Sequence, residues 1–291
     1  MDNNEKDDID KFYMIPTKYK GVGFFAPKSD EEQCPLFIDE AEEGLTEKYT
    51  KLDQLFSTFF NDNTLAQAKE ESQEERKEKN IVDPSFIYGE VTFRSMAYII
   101  EFIVRTKKLI KGNFYDLGSG TGRGILSAVL CRSFPKYVGV ELIDCLYRKS
   151  LEFKNKFSNN FNAYYKQYGE YFPTDQEDEE ENESEEEEGE EKSDSLEEVR
   201  CPKMEFYKND FLKHPIKDAS LILINSTCFT SDLMFALAHK CNAECRPGCV
   251  VITFTKRLPC LNKTWDTKIG FKRLMSWGIA TVYIHQKLPK K

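Results

Sequence analysis

The stretch NFYDLGSGTGRGILSAV, Asn113–Val129, constrains the fold of this chain more than any other. An apolar strand, Phe114–Leu117, runs into three glycines at alternate positions, Gly118, Gly120 and Gly122, and on into an apolar helix, Gly122–Arg132. Glycine takes backbone angles that other residues reach only at a cost, and it lets a ligand lie against bare peptide. A glycine-rich turn between the first strand and the first helix is where open α/β sheets bind nucleotides. A phosphate loop would close on Gly-Lys-Ser/Thr, and Arg123-Gly124-Ile125 does not. The spacing is G-x-G-x-G, not the G-x-G-x-x-G of a dinucleotide site. Asp116, just ahead of the glycines, suits a ligand's amine better than a pyrophosphate.

The chain around this turn alternates strand and helix. Tyr137–Val140, Met204–Tyr207, Leu221–Ile224 and Val250–Thr255 read as strands, and so does ATVYIHQK near the end. Phe93–Lys107, a long Asp144–Tyr168 and Ser231–Cys241 read as helices. Such alternation with short connections predicts an α/β domain on a parallel sheet. Ahead of it, Leu52, Leu55, Phe56, Phe59 and Phe60 recur at helical spacing. The expected organisation is therefore a poorly ordered 1–20, a helical appendage over 21–80, and the main domain over 81–291. Lys18–Pro27, with Phe24 and Phe25, reads as packing on that appendage or as an arm.

Charge divides the chain unevenly. Its net −9 conceals a tract, Asp175–Glu198, with sixteen acidic residues and one lysine; the remainder carries +6. Nearly devoid of apolar residues, the tract predicts a disordered insertion, 174–199, within the main domain. A solvated spacer and an electrostatic tether for a basic partner such as a histone tail both fit it. The sequence has no apolar run of membrane-spanning length and an acidic, polar start, so neither a membrane span nor a leader is expected. Nine cysteines without a framework predict reduced thiols in a cytosolic or nuclear protein. Cys241, Cys245 and Cys249 follow C-x3-C-x3-C, which matches no common zinc spacing, so buried thiols and no metal are expected.

Three carboxylates then fall in order. Asp116 precedes the glycines, Glu141 ends the VGVE strand, and Asp210 in YKNDF follows the third strand with Phe211 beside it. An acid for an amine, one for a ribose diol and one for an adenine amino group together describe S-adenosylmethionine.

At these residues the chain resembles the disruptor-of-telomeric-silencing (Dot1-like) family, the non-SET histone lysine methyltransferases. The resemblance rests on IYGE (Ile87–Glu90), FYDLGSGTGRG, VGVEL, KNDF, LILINSTCF and SWGIATVYIHQK in that order, across roughly residues 80–288. It implies a class I S-adenosylmethionine-dependent methyltransferase fold, Rossmann-like with a mostly parallel sheet, and a lysine of the histone H3 core as methyl acceptor. It also implies roles. Tyr88 and Thr92 belong to the loop over the cofactor's methionine end, and Asp116, Gly118 and Gly120 to the methionine-binding turn. Glu141 takes the ribose, and Asp210 and Phe211 take the adenine. Asn225 stands beside the transferring methyl. Phe229 and Tyr283 wall the lysine channel, with Trp277 near. Where the family often has a second asparagine and an aromatic, this chain has Ser226 and Thr227, which leaves room for a non-histone acceptor. A long basic extension is missing too, so DNA contact is expected to be weak or absent. The expected protein is a nuclear monomer working on nucleosomes; a cofactor-binding chromatin adaptor without turnover is the alternative from another class. His285, two residues from Tyr283, is read as structural rather than as a general base, and Arg123 as a surface residue.

Overall fold

Four short runs are buried along their whole length: β1 (Asn113–Leu117), β2 (Tyr137–Glu141), β4 (Ala219–Ile224) and β5 (Val250–Phe254). Strands apolar on both faces belong to a parallel sheet covered on both sides. The computed structural model, which describes residues 43–107, 109–173, 200–259 and 264–289, has that sheet. The expectations for 1–20, for Lys18–Pro27 and for the acidic insertion 174–199 lie outside the described residues. With β3 (Met204–Lys208), β6 (Trp265–Met275) and β7 (Gly278–Lys287) the order is β3-β2-β1-β4-β5-β7-β6. β1 to β5 pair in parallel; β7 runs antiparallel between β5 and β6. This is the expected Rossmann-like class I methyltransferase fold.

Helices cover both faces. One core joins α1 (Glu43–Ser57), α3 (Phe93–Thr106), α4 (Arg123–Cys131), α5 (Asp144–Asn159) and α6 (Phe161–Tyr168) to one face of the sheet; the other holds α7 (Ser231–Glu244). Leu52, Leu55, Phe56, Phe59 and Phe60 of the N-terminal helical segment bury in the first core, where Phe56 stacks on Phe93 with centroids 5.2 Å apart. α2 (Asp62–Glu78) starts at a capping box between Asn61 and Thr64.

Two elements differ from the sequence reading. The helix expected over Asp144–Tyr168 breaks at Asn160, whose backbone (φ −115°, ψ 11°) separates α5 from α6. β6, the hairpin partner of β7, was not foreseen.

The strand order reverses at β1, between β2 and β4. The carboxyl ends on either side of such a reversal leave a crevice open to ligands. Here those ends carry the glycine turn, Glu141, Asp210, Asn225 and Thr255.

Candidate functional site

The crevice is a cleft of about 250 Å³. Tyr88, Gly118, Glu141, Asp210, Phe211, Asn225 and Phe229 line it, together with Ser85, Ile87, Leu142 and Leu146. The glycine turn forms its floor. Gly118 has φ +87°, and a Cβ built there would meet nothing within 4 Å, so the cleft reaches the peptide itself. Gly120 has φ +54°, and its Cβ would lie 2.6 Å from the Tyr88 ring. Tyr88 thus rests on the turn and covers Gly120.

The three acids differ in environment. Asp116 is 4% exposed, and a Cβ on Gly124 would sit 2.3 Å from its Oδ2. Burial, and then the neighbouring Glu141 charge, pushes its carboxyl up to about 8. A cationic amine brought close would reverse that shift. Glu141 accepts from the backbone N–H of Gly120 (2.9 Å), Leu142 (2.8 Å) and Ile143 (2.7 Å). Burial still raises its pKa against those three amides. Asp210 accepts from Leu212 N–H at 2.9 Å and lies 3.7 Å from the Lys213 ammonium. Phe211 stacks on Phe229, centroids 5.8 Å apart and planes at 22°. An apolar slot flanked by separated acceptors is what an adenosine carrying an amine would need.

Asn225 joins the two sides of the cleft. Its Nδ2 donates to the carbonyl of Gly89 at 2.9 Å, tying the end of β4 to the Tyr88 loop. Thr92 caps α3 instead of lining the cleft; its hydroxyl donates to Leu274 O at 3.0 Å. Tyr283 also lies outside the lining. It pairs with Thr253 and Gly270 in the sheet, and the Arg257 guanidinium stands 5.0 Å from its ring centre. Trp277 packs on Gly89 and, edge-on, on Phe254.

The sequence reading missed Arg123 and Glu90. Arg123 is not a surface residue: its side chain is 12% exposed and pairs with Glu90, itself 3% exposed. The same carboxylate takes hydrogen bonds from Tyr88 and, at 3.1 Å, from Thr121 of the glycine turn. The guanidinium also faces Phe56 and Phe60, 5.2 and 5.5 Å from their ring centres. Burial and the Glu90 charge hold the Tyr88 phenol well above its usual pKa. One buried ion pair therefore links α1, the loop and the turn. Glu90 and Arg123 lie in the IYGE and FYDLGSGTGRG motifs, but they stand 33 residues apart and neither motif signals that they pair.

His285 is fully buried, bonds Thr253 Oγ1 through Nε2 at 2.9 Å, and is pushed down to about 3, chiefly by burial. It is neutral at any physiological pH. Cys245 lies between the thiols of Cys241 and Cys249, whose hydrogen bonds lower its pKa. Among the described residues no group of three or more His, Cys, Asp or Glu side chains is placed to hold a metal ion, and no helix is long and apolar enough to cross a membrane.

A family model described as histone methylation protein DOT1 matches residues 77–191. No curated protein matches the sequence. Among solved structures the chain is similar to an RNA methyltransferase from Salinibacter ruber in complex with S-adenosyl-L-homocysteine, at 16% identity, covering 66% of this chain and 92% of that one with a TM-score of 0.39. TrmN from Thermus thermophilus is 13% identical over 70% of this chain and 52% of its own, with a TM-score of 0.43. Likenesses this distant say nothing about the acceptor.

Proposed function

From the membership of residues 77–191 in the DOT1 histone methylation family, which makes the chain a methyltransferase, we propose that it is a protein lysine N-methyltransferase acting on the histone H3 core in nucleosomes. The cofactor is S-adenosylmethionine, and the cleft residues fit it: Glu141 for the ribose, and Asp210 and Phe211 for the adenine, with Asp116, buried outside the cleft lining, as the acid for its amine. The observation that carries the reading is the Asn225 bond to Gly89, which places an amide where the loop, the glycine turn and the end of β4 converge.

When bound, S-adenosylmethionine supplies an activated methyl on a sulfonium. Held by Glu141, Asp210 and Phe211, it would donate that methyl to an amine nitrogen and keep the carbon–sulfur electron pair, and the amine's surplus proton would leave to solvent. The protein's share is placement, since alignment at near-attack distance removes much of the barrier. In this reading Tyr88 closes over the methionine end and Gly118 lets the cofactor lie on the turn, while Gly120 makes room for the Tyr88 ring and Thr92 anchors the loop by capping α3. The Asn225 oxygen accepts from the incoming amine and orients its lone pair. Phe229 walls the approach, with Tyr283 outside the cleft lining; an aromatic face favours a cationic product, and desolvation favours the neutral amine that attacks. No protein base is required, which agrees with the sequestered His285.

Purified protein is incubated with methyl-labelled cofactor and either nucleosomes, free histones or a lysate. Label on histone H3 in nucleosomes is the expected result, and Asn225→Ala should reduce it by at least ~100-fold while circular dichroism shows the fold retained. Label only on other proteins would move the substrate outside chromatin; cofactor binding with no transfer would leave an adaptor.

A further inference from the structure

Thr255, at the end of β5, is one of two non-glycine residues with positive φ among the described residues, at +64°. It is β-branched, which makes that conformation a genuine outlier. Lys256 N–H closes on Phe254 O at 2.6 Å around it, forming a three-residue turn of the strained, positive-φ kind. Strain of this sort persists only where the surroundings over-determine it, and it gathers at functional sites.

The surroundings are explicit. Thr253 Oγ1 donates to Lys256 O at 2.7 Å, the Lys256 ammonium donates to Phe229 O, and Thr255 N–H donates to Thr281 O at 2.7 Å. Held this way, the Thr255 hydroxyl donates to Thr227 Oγ1 at 3.3 Å, and Thr227 Oγ1 donates to Asn225 Oδ1 at 3.2 Å. A carbonyl can only accept, so the Asn225 Nδ2 bond to Gly89 O fixes which way the amide faces. Its oxygen is left with the Thr227 bond and one further acceptor site.

We propose that Thr227 and Thr255 are positioning residues for methyl transfer: a two-hydroxyl chain that orients the Asn225 amide oxygen toward the acceptor amine. This rests on the methyltransferase reading above. It also assigns a role to Thr227, one of the two positions at which the chain departs from its family's pattern. The hydroxyls polarise the Asn225 oxygen and stop the side chain from rotating; neither touches the substrate.

Sinefungin, which carries an amine where S-adenosylmethionine carries its methyl, probes that orientation without any acceptor. Affinities for sinefungin and S-adenosylhomocysteine are measured by calorimetry on wild type, Thr227→Val, Thr227→Ser and Thr255→Val. The preference of wild type for sinefungin should fall by about 3–10-fold in Thr227→Val, the worth of one hydrogen bond. It should fall less in Thr255→Val and be kept in Thr227→Ser. S-adenosylhomocysteine affinity should stay within about 2-fold throughout, since no bond to that ligand is altered. With an acceptor in hand, Thr227→Val should lower kcat and leave the KM for cofactor unchanged. Wild type that binds neither ligand sinks the cofactor reading itself. Wild type that binds both, with an unchanged preference in Thr227→Val, sinks only the positioning role.

Discussion

Asp116 is a carboxyl group in a place that does not favour its charge. It was legible in the sequence as an acid ahead of glycines, but its protonation was not, because that depends on burial and on Glu141 across the turn. With its folded value near 8 against an ordinary 3.8, the native state holds a proton that the unfolded chain releases. Stability therefore falls as pH rises from about 4 to 8, and below about 4 nothing is lost. Asp116→Asn removes that penalty. The unliganded variant should be more stable than wild type by about 1–3 kcal/mol at pH 8 and equal to it at pH 3.5, read from urea melts. If Asp116 is the amine's charge partner, as proposed, affinity for S-adenosylmethionine should drop by roughly 30–100-fold. Equal melts at pH 8, or unchanged affinity, would contradict the assignment. Arg123 makes the complementary point. Its partners Glu90, Phe56 and Phe60 come from two other segments, and no periodicity or spacing could have joined them.

Local pattern and tertiary context divide at the level of elements. The buried strands were readable because each is a continuous apolar run between turn residues. The break at Asn160 was not, since Phe153, Phe157, Phe161 and Tyr168 keep helical spacing through it and bury alike. β6 was hidden for the opposite reason: an inward position is held by Arg273, whose guanidinium lies 3.5 Å from the Tyr98 ring centre, so apolar alternation is lost. The junction of α2 with α5 was equally silent. Glu75 reaches from α2 to the first turn of α5 and accepts from Asp144 N–H (2.9 Å) and Cys145 N–H (2.7 Å), a favourable place for a negative charge. Burial alone would raise its pKa, but the Lys79 ammonium and the two amides bring it down to about 2. The stabilisation is present above the ordinary carboxylate value and lost as pH falls through 2. Glu75→Gln should cost about 1–2 kcal/mol at pH 7, with the deficit shrinking towards pH 2. It should also loosen Leu142 and Ile143, whose amides hold Glu141, and so weaken cofactor binding by a few-fold. Melts that are parallel at every pH would place the charge elsewhere.

At the scale of the whole molecule, charge is the quantity the fold does not set. The chain carries −9, yet without residues 174–199 it would carry +6. Nucleosomal DNA is a polyanion, and association with it follows the net field of the partner. If the chain acts on nucleosomes, the acidic tract opposes its approach to DNA and permits approach to the basic histone surface. Deleting 174–199 should then tighten nucleosome binding by about 3–10-fold near 50 mM salt and steepen its salt dependence, because more phosphate counterions are released. The same deletion should leave cofactor affinity unchanged, since the cleft is built from other residues. Methylation would become less selective for the histone core, with label appearing on free DNA-bound lysine-rich proteins that wild type ignores. Fluorescence anisotropy with labelled nucleosomes at low and physiological salt reads the binding, and labelled-cofactor assays on mixed substrates read the selectivity. Equal affinity and equal slopes for the two proteins would reduce the tract to a spacer and remove electrostatics from the choice of acceptor.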